Sequence, residues 1–175
     1  MFSRFPGIKV LQGKSGDVPI STLEGKTVMI YFSAHWCPPC RSFTPQLAAF
    51  YRKHSVEKNF EIVFASWDQS KAEFEEYFQE HPWLALPYDS SKQIVEQLGS
   101  KYQVRSIPTL LVFAPDGTLI TREGRSSVVT DPTAAEFPWK NADAKAAQTS
   151  KRNQVLLVIL VAAYFIFQYF QGSKQ

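Results

Sequence analysis

Trp36-Cys37-Pro38-Pro39-Cys40 contains the only two cysteines of the 175-residue chain, and its surroundings constrain the fold more than any other stretch. Val28 to Phe32 is a continuous apolar run rich in β-formers, which predicts a buried strand. Phe43, Leu47 and Phe50 then recur at helical spacing. Cys37 is therefore expected where a strand ends and a helix begins, facing unpaired N–H groups and the positive end of the helix dipole. Both favour the thiolate, the reactive form. A Cys-X-X-Cys disulfide closes too short a loop to remove much chain entropy, so the spacing suits reversible thiol–disulfide exchange better than an inert staple. A structural zinc site needs four ligands, and neither a second Cys pair nor a cluster of His35, His54 and His81 supplies them.

The rest of the chain alternates between the two periods. Lys9 to Leu11 and Val18 to Ile20 flank a polar turn and predict an opening hairpin. Thr27 to Ser33 and Phe60 to Ala65 read as buried strands, with a helix between them in which Pro45 should introduce a kink. Ser70 and Glu73 have capping-box spacing and open a helix carrying Phe74, Tyr77 and Phe78. Ser91 to Leu98 predicts another helix, stopped by Gly99 in a left-handed conformation. Thr109 to Phe113, the Pro115-Asp116-Gly117 turn and Leu119 to Arg122 predict a closing hairpin, and Asp131-Pro132 a short last helix. Such an order describes an α/β fold, a mixed sheet with helices on both faces.

The first 150 residues carry sixteen basic and sixteen acidic side chains, a balance that argues against nucleic-acid binding. The positive excess, Lys151, Arg152 and Lys174, flanks the apolar run Val155 to Phe170. Those sixteen residues would reach about 24 Å as a helix, short of a ~30 Å hydrocarbon core but closer to a thin bilayer of about 27 Å. The N-terminus has no apolar stretch of secretory-signal length. The expectation is a redox domain over residues 1–140, a polar linker or exposed helix over 141–154 and a transmembrane tail anchor over 155–171. The domain would face the cytosol, with the mitochondrial outer membrane the favoured site and the endoplasmic reticulum second.

Ser106-Ile107-Pro108-Thr109 places a proline at the start of a central-type strand, where it cannot donate to the ladder. With the cysteine pair at the first strand-to-helix junction, the chain resembles the tryparedoxin branch of the thioredoxin superfamily over roughly residues 8–139. The resemblance rests on Phe32 to Arg41, Phe43 to Leu47, Pro82 to Pro87, Ser106 to Leu110, Asp131-Pro132 and Phe137 to Trp139; nucleoredoxin shares its main features. It implies a thioredoxin-like fold with a cis Ile107–Pro108 bond facing the cysteines. It also implies a dithiol carrier with no bound cofactor, reduced by trypanothione and serving 2-Cys peroxiredoxins and other disulfide proteins. In that frame Cys37 is the nucleophile and Cys40 resolves, while Trp36, Pro38, Arg41, Ile107, Pro108 and Arg125 meet trypanothione or the protein partner. Arg41 and Arg125 also read as plain surface residues. Gln69 stands where the family often has Glu, and the strand before the motif lacks the acid of ordinary thioredoxins, so a proton acceptor for Cys40 must come from elsewhere. The tail anchor would make this a membrane-tethered relative of soluble members. A nucleoredoxin-like redox-regulated binding module and a disulfide oxidase or isomerase are the competing readings.

Overall fold

Alternation of side chains along the strands assigns each buried residue to one face of a single mixed sheet. The computed structural model describes residues 7–172, with side chains through Ile166. The opening hairpin is Val10–Gly13 (β1) and Gly16–Pro19 (β2), followed by a short 3-10 turn, Ile20–Leu23. Thr27–Ser33 (β3) leads into Pro38–His54 (α1), and Phe60–Ser66 (β4) into Lys71–Phe78 (α2). A short strand, Leu84–Ala85 (β5), precedes Tyr88–Lys101 (α3). Thr109–Phe113 (β6) and Leu119–Thr121 (β7) form the closing hairpin, and Gly124–Thr130 (α4) follows it. Strand order is β2-β1-β5-β4-β3-β6-β7, with β3, β4 and β5 parallel and β6 antiparallel to β3.

β3 is buried at all seven positions because both of its faces are covered. Val28, Ile30 and Phe32 pack with Val63, Ala65 and Leu111 against Ile94, Val95 and Leu98 of α3. On the other face Tyr31 lies opposite Phe64 and Leu110, edge-on to Phe43 of α1. Burial of this kind, at about 25 cal/mol per Å² of apolar surface, is what holds the sheet between its helices. α1 runs on through Pro45, which is exposed. The predicted capping box opens α2: the Glu73 amide donates to Ser70 Oγ at 3.3 Å, and the Ser70 amide to Glu73 Oε2 at 3.1 Å.

Two local expectations are corrected. Gly99 does not end α3 but lies inside it beside Trp67; the left-handed residue is Gln103, with φ 53°. Asp131 starts no helix. Its carboxylate instead accepts the amides of Ala135 and Glu136 and the indole N–H of Trp139, tying residues 131–139 into a turn that includes a cis Phe137–Pro138 bond. The helix in this part of the chain is α4, one strand-turn earlier. A Cβ on Gly124 would lie 2.5 Å from Leu110 O, so only glycine lets α4 start this close to β6.

Residues 141–172 form a second unit, the helix Ala142–Gly172 (α5). The tail anchor is overturned: among the described residues no helix is long and apolar enough to cross a membrane. α5 is polar through Gln154, and its apolar run starts only at Val155. The side chains of residues 167–171 of the expected span lie outside the described residues. The expected placement on a mitochondrial or reticular membrane falls with the anchor.

Candidate active site

Cys37 is the N-cap of α1, as the strand-to-helix junction predicts. Its Sγ accepts the Cys40 amide at 3.3 Å, and Pro38 and Pro39 fill the first turn, where a missing N–H costs nothing. Cys37 and Cys40 are joined as a disulfide, Cα–Cα 5.2 Å. Cys37 keeps 4% of its surface exposed and Cys40 none. Both sulfurs pack with Ala34 between Trp67 and Ile107. Across the gap from α1, the Ile107–Pro108 bond is cis, and Ile107 O lies 3.8 Å from Cys37 Sγ.

Trp36 is half exposed, its indole N–H donating to Trp67 O at 3.2 Å. The structure thus brings Trp36, Cys37, Cys40, Ile107 and Pro108 together. Pro38 is exposed on the first turn of α1, and Arg41 is exposed one residue after Cys40. Arg125, at the start of α4, holds its guanidinium 6.0 Å from the Phe43 ring centre. It lines a cleft of about 450 Å³ with Pro108, Thr109, Arg122 and Glu123. A second cleft, about 550 Å³, opens beside Trp36 and is lined by Trp67, Asp68, Gln69, Tyr88 and Glu96.

Two groups of residues at the site escaped the sequence. Beneath α1, the Thr44 hydroxyl donates to Cys40 O at 3.0 Å and shares hydrogen bonds with the Tyr31 and Tyr77 hydroxyls; Tyr77 also bonds Ser33. Tyr31 is the polar residue of the strand in which no acid was found. Burial holds its phenol well above the ordinary range, so it stays protonated. The other group is the segment after β4, which fastens the loop before Cys37. The Trp67 amide donates to Ser33 O at 2.9 Å, and the His35 amide to Asp68 Oδ1 at 2.7 Å. Asp68 Oδ2 accepts the Ser66 hydroxyl at 2.7 Å. Burial raises the Asp68 pKa above the usual carboxylate range, while the hydrogen bonds from Ser66 and His35 pull against it.

A dithiol pair with one sulfur at a helix start, next to the Ile107 carbonyl and an exposed indole, can exchange disulfides with an extended partner. No group of three or more His, Cys, Asp or Glu side chains fit for a metal occurs among the described residues.

The thioredoxin-like family model matches residues 25–119. The tryparedoxin of Trypanosoma brucei brucei is 51% identical over 137 residues, covering 78% of this chain and 94% of that protein. A solved structure of tryparedoxin II complexed with glutathionylspermidine superposes with a TM-score of 0.74 at 47% identity, over 78% of this chain and 95% of that one. Human nucleoredoxin is 42% identical over 158 residues, which is 86% of this chain but 36% of that protein. The chain therefore spans about a third of nucleoredoxin and nearly the whole of tryparedoxin. Sequence, fold and the paired cysteines agree: the chain belongs to the tryparedoxin branch of the thioredoxin-like family and is a thiol–disulfide oxidoreductase.

Proposed function

We propose that residues 1–140 act as a dithiol carrier that takes electrons from trypanothione and gives them to 2-Cys peroxiredoxins and other disulfide proteins. The observation that carries this reading is Cys37 Sγ at the N-cap of α1, accepting the Cys40 amide and lying 3.8 Å from Ile107 O. The resting charge there is stabilised by amide and dipole, and the adjacent backbone is free to align a partner.

In the reduced chain Cys37 thiolate attacks a partner disulfide. One Cys37–partner S–S bond forms as the partner's own breaks, and the departing thiolate takes a proton. Cys40 then loses its proton and attacks Cys37 Sγ, closing the intramolecular disulfide and releasing the partner's second thiol. Two electrons have moved. Trypanothione reverses the sequence with its two thiols and leaves as its own disulfide. Trp36, Pro38, Arg41, Ile107, Pro108 and Arg125 form the meeting surface, with the two guanidiniums suited to carboxylates. A relative's complex with glutathionylspermidine supports a polyamine thiol as the reductant.

The test is a coupled assay with regenerated trypanothione and a 2-Cys peroxiredoxin. Turnover that depends on the chain and saturates in both substrates is expected. If glutathione supports the same rate as trypanothione at equal thiol concentration, the assignment of the reductant is wrong.

A further inference from the structure

Cys37 is surrounded by α1, by Ala34 of its own loop, by the Ile107–Pro108 turn and by one further segment. That further segment is the one after β4. Trp67 and Asp68 engage three successive parts of the loop between β3 and α1: Ser33 O, the His35 amide and the Trp36 indole. Asp68 is itself anchored from both sides. Its carboxylate takes the Ser66 hydroxyl, and its carbonyl accepts the Tyr88 hydroxyl at 3.2 Å from α3. At 7% exposure this is a buried carboxylate aimed at the loop that carries the redox pair, and the exchange steps above leave it without a part.

We propose that Asp68 is a positioning residue for the exchange reaction: it fixes the Ser33–Cys37 loop through the His35 amide, and its negative charge restrains ionisation of Cys37. Two opposed influences then act on the same sulfur. The Cys40 amide and the dipole of α1 favour the thiolate, while a like charge behind the loop disfavours it. A thiol held near the ambient pH is a better attacker than one driven fully to the thiolate, since nucleophilicity falls with pKa. The other titratable and charged groups facing Asp68 are His35 on the same loop, Glu73 on α2, and Lys92 and Glu96 on α3 across the cleft. Glu96 and Lys92 are exposed, so solvent screens them far more than Asp68.

The substitution Asp68→Asn separates the two roles. Asparagine keeps an oxygen for the His35 amide and removes the charge. In a Cys40→Ser background, with Cys37 the single thiol, the pH midpoint of alkylation should fall by about half a unit, roughly threefold in the ionisation constant. Glu96→Gln should move it much less. Asp68→Ala, which loses the acceptor as well, should lower turnover beyond what Asp68→Asn does. An unchanged midpoint in Asp68→Asn overturns the electrostatic role, and an equal shift in Glu96→Gln reduces it to net charge. The His35 amide resonance of the unmodified chain offers a reading without any variant. It should move with a carboxylate titration between neutral pH and pH 3, and an amide that stays fixed overturns the clamp.

Discussion

At the front of α1, Asp68 accepts the His35 amide beside the redox pair; at the back, Asp131 accepts the Ala135 and Glu136 amides and the Trp139 indole. Both aspartates close a loop with the same kind of hydrogen bond, yet their charges are treated in opposite ways. Asp68 is buried, and burial raises its pKa above the usual range. For Asp131 burial is the largest single influence and also pushes upward, but the bonds from Trp139, Glu136, Ala135 and Thr133 together outweigh it and hold its pKa below the usual range. The back loop seats Trp139 against Phe50 and Phe137 against Phe60, while His54 Nε2 meets Pro132 O at 3.0 Å. One end of the helix is settled for stability. The other buries a carboxylate with a raised pKa next to the chemistry, which is how sites of reaction tend to differ from the scaffold around them.

The comparison breaks most visibly with the cysteines. Cys37→Ser should abolish trypanothione-dependent turnover with little change in melting temperature, and Cys40→Ser should accumulate mixed disulfides with partners; trapping by Cys37→Ser equal to that of Cys40→Ser would reverse the roles. At the back, Trp139→Ala should cost about 3–5 kcal/mol in denaturant unfolding while the folded protein keeps its kcat/KM. A large fall in kcat/KM there would mean that the ends are not separable.

Asp131→Ala leaves amide and indole donors unpaired and should cost about 1–3 kcal/mol at pH 7. The sign follows from its lowered pKa. Its contribution is present above the unfolded aspartate value of about 3.9 and is lost as pH falls through the lower folded value. Stability measured against pH in acid should therefore fall less steeply in the variant. Asp68 runs the other way: with a raised folded pKa, its charge costs stability as pH rises through that value. Asp68→Asn should leave the melting temperature at pH 7 unchanged or higher, and a clear drop would erase the contrast between the two carboxylates.

What was legible in the sequence was what repeats or is spaced. β3, β4, α1 and the closing hairpin follow from apolar periods and turn residues, and the Ser70–Glu73 capping box from two side chains three apart. What stayed hidden depends on distant segments meeting. Asp68 carries no local signal, because nothing near it in the chain reveals the His35 amide 33 positions earlier. Asp131-Pro132 carries a helix-start signature, but the indole of Trp139 recruits the carboxylate into a turn. α4 has weak helix formers, Ser and β-branched residues, and is placed by the close approach of Gly124 to Leu110. Apolar content alone likewise suggested a membrane span for Val155 to Phe170, which the described part of α5 does not bear out.

The most direct test of the division between an exchanging front and a structural back is residue-resolved alkylation of the reduced chain by mass spectrometry at neutral pH. The account predicts rapid labelling of Cys37, with Cys40 labelled only after denaturation, since Cys37 alone caps the helix with some surface open and Cys40 has none. Labelling of Cys40 first, or of both at one rate, would contradict it.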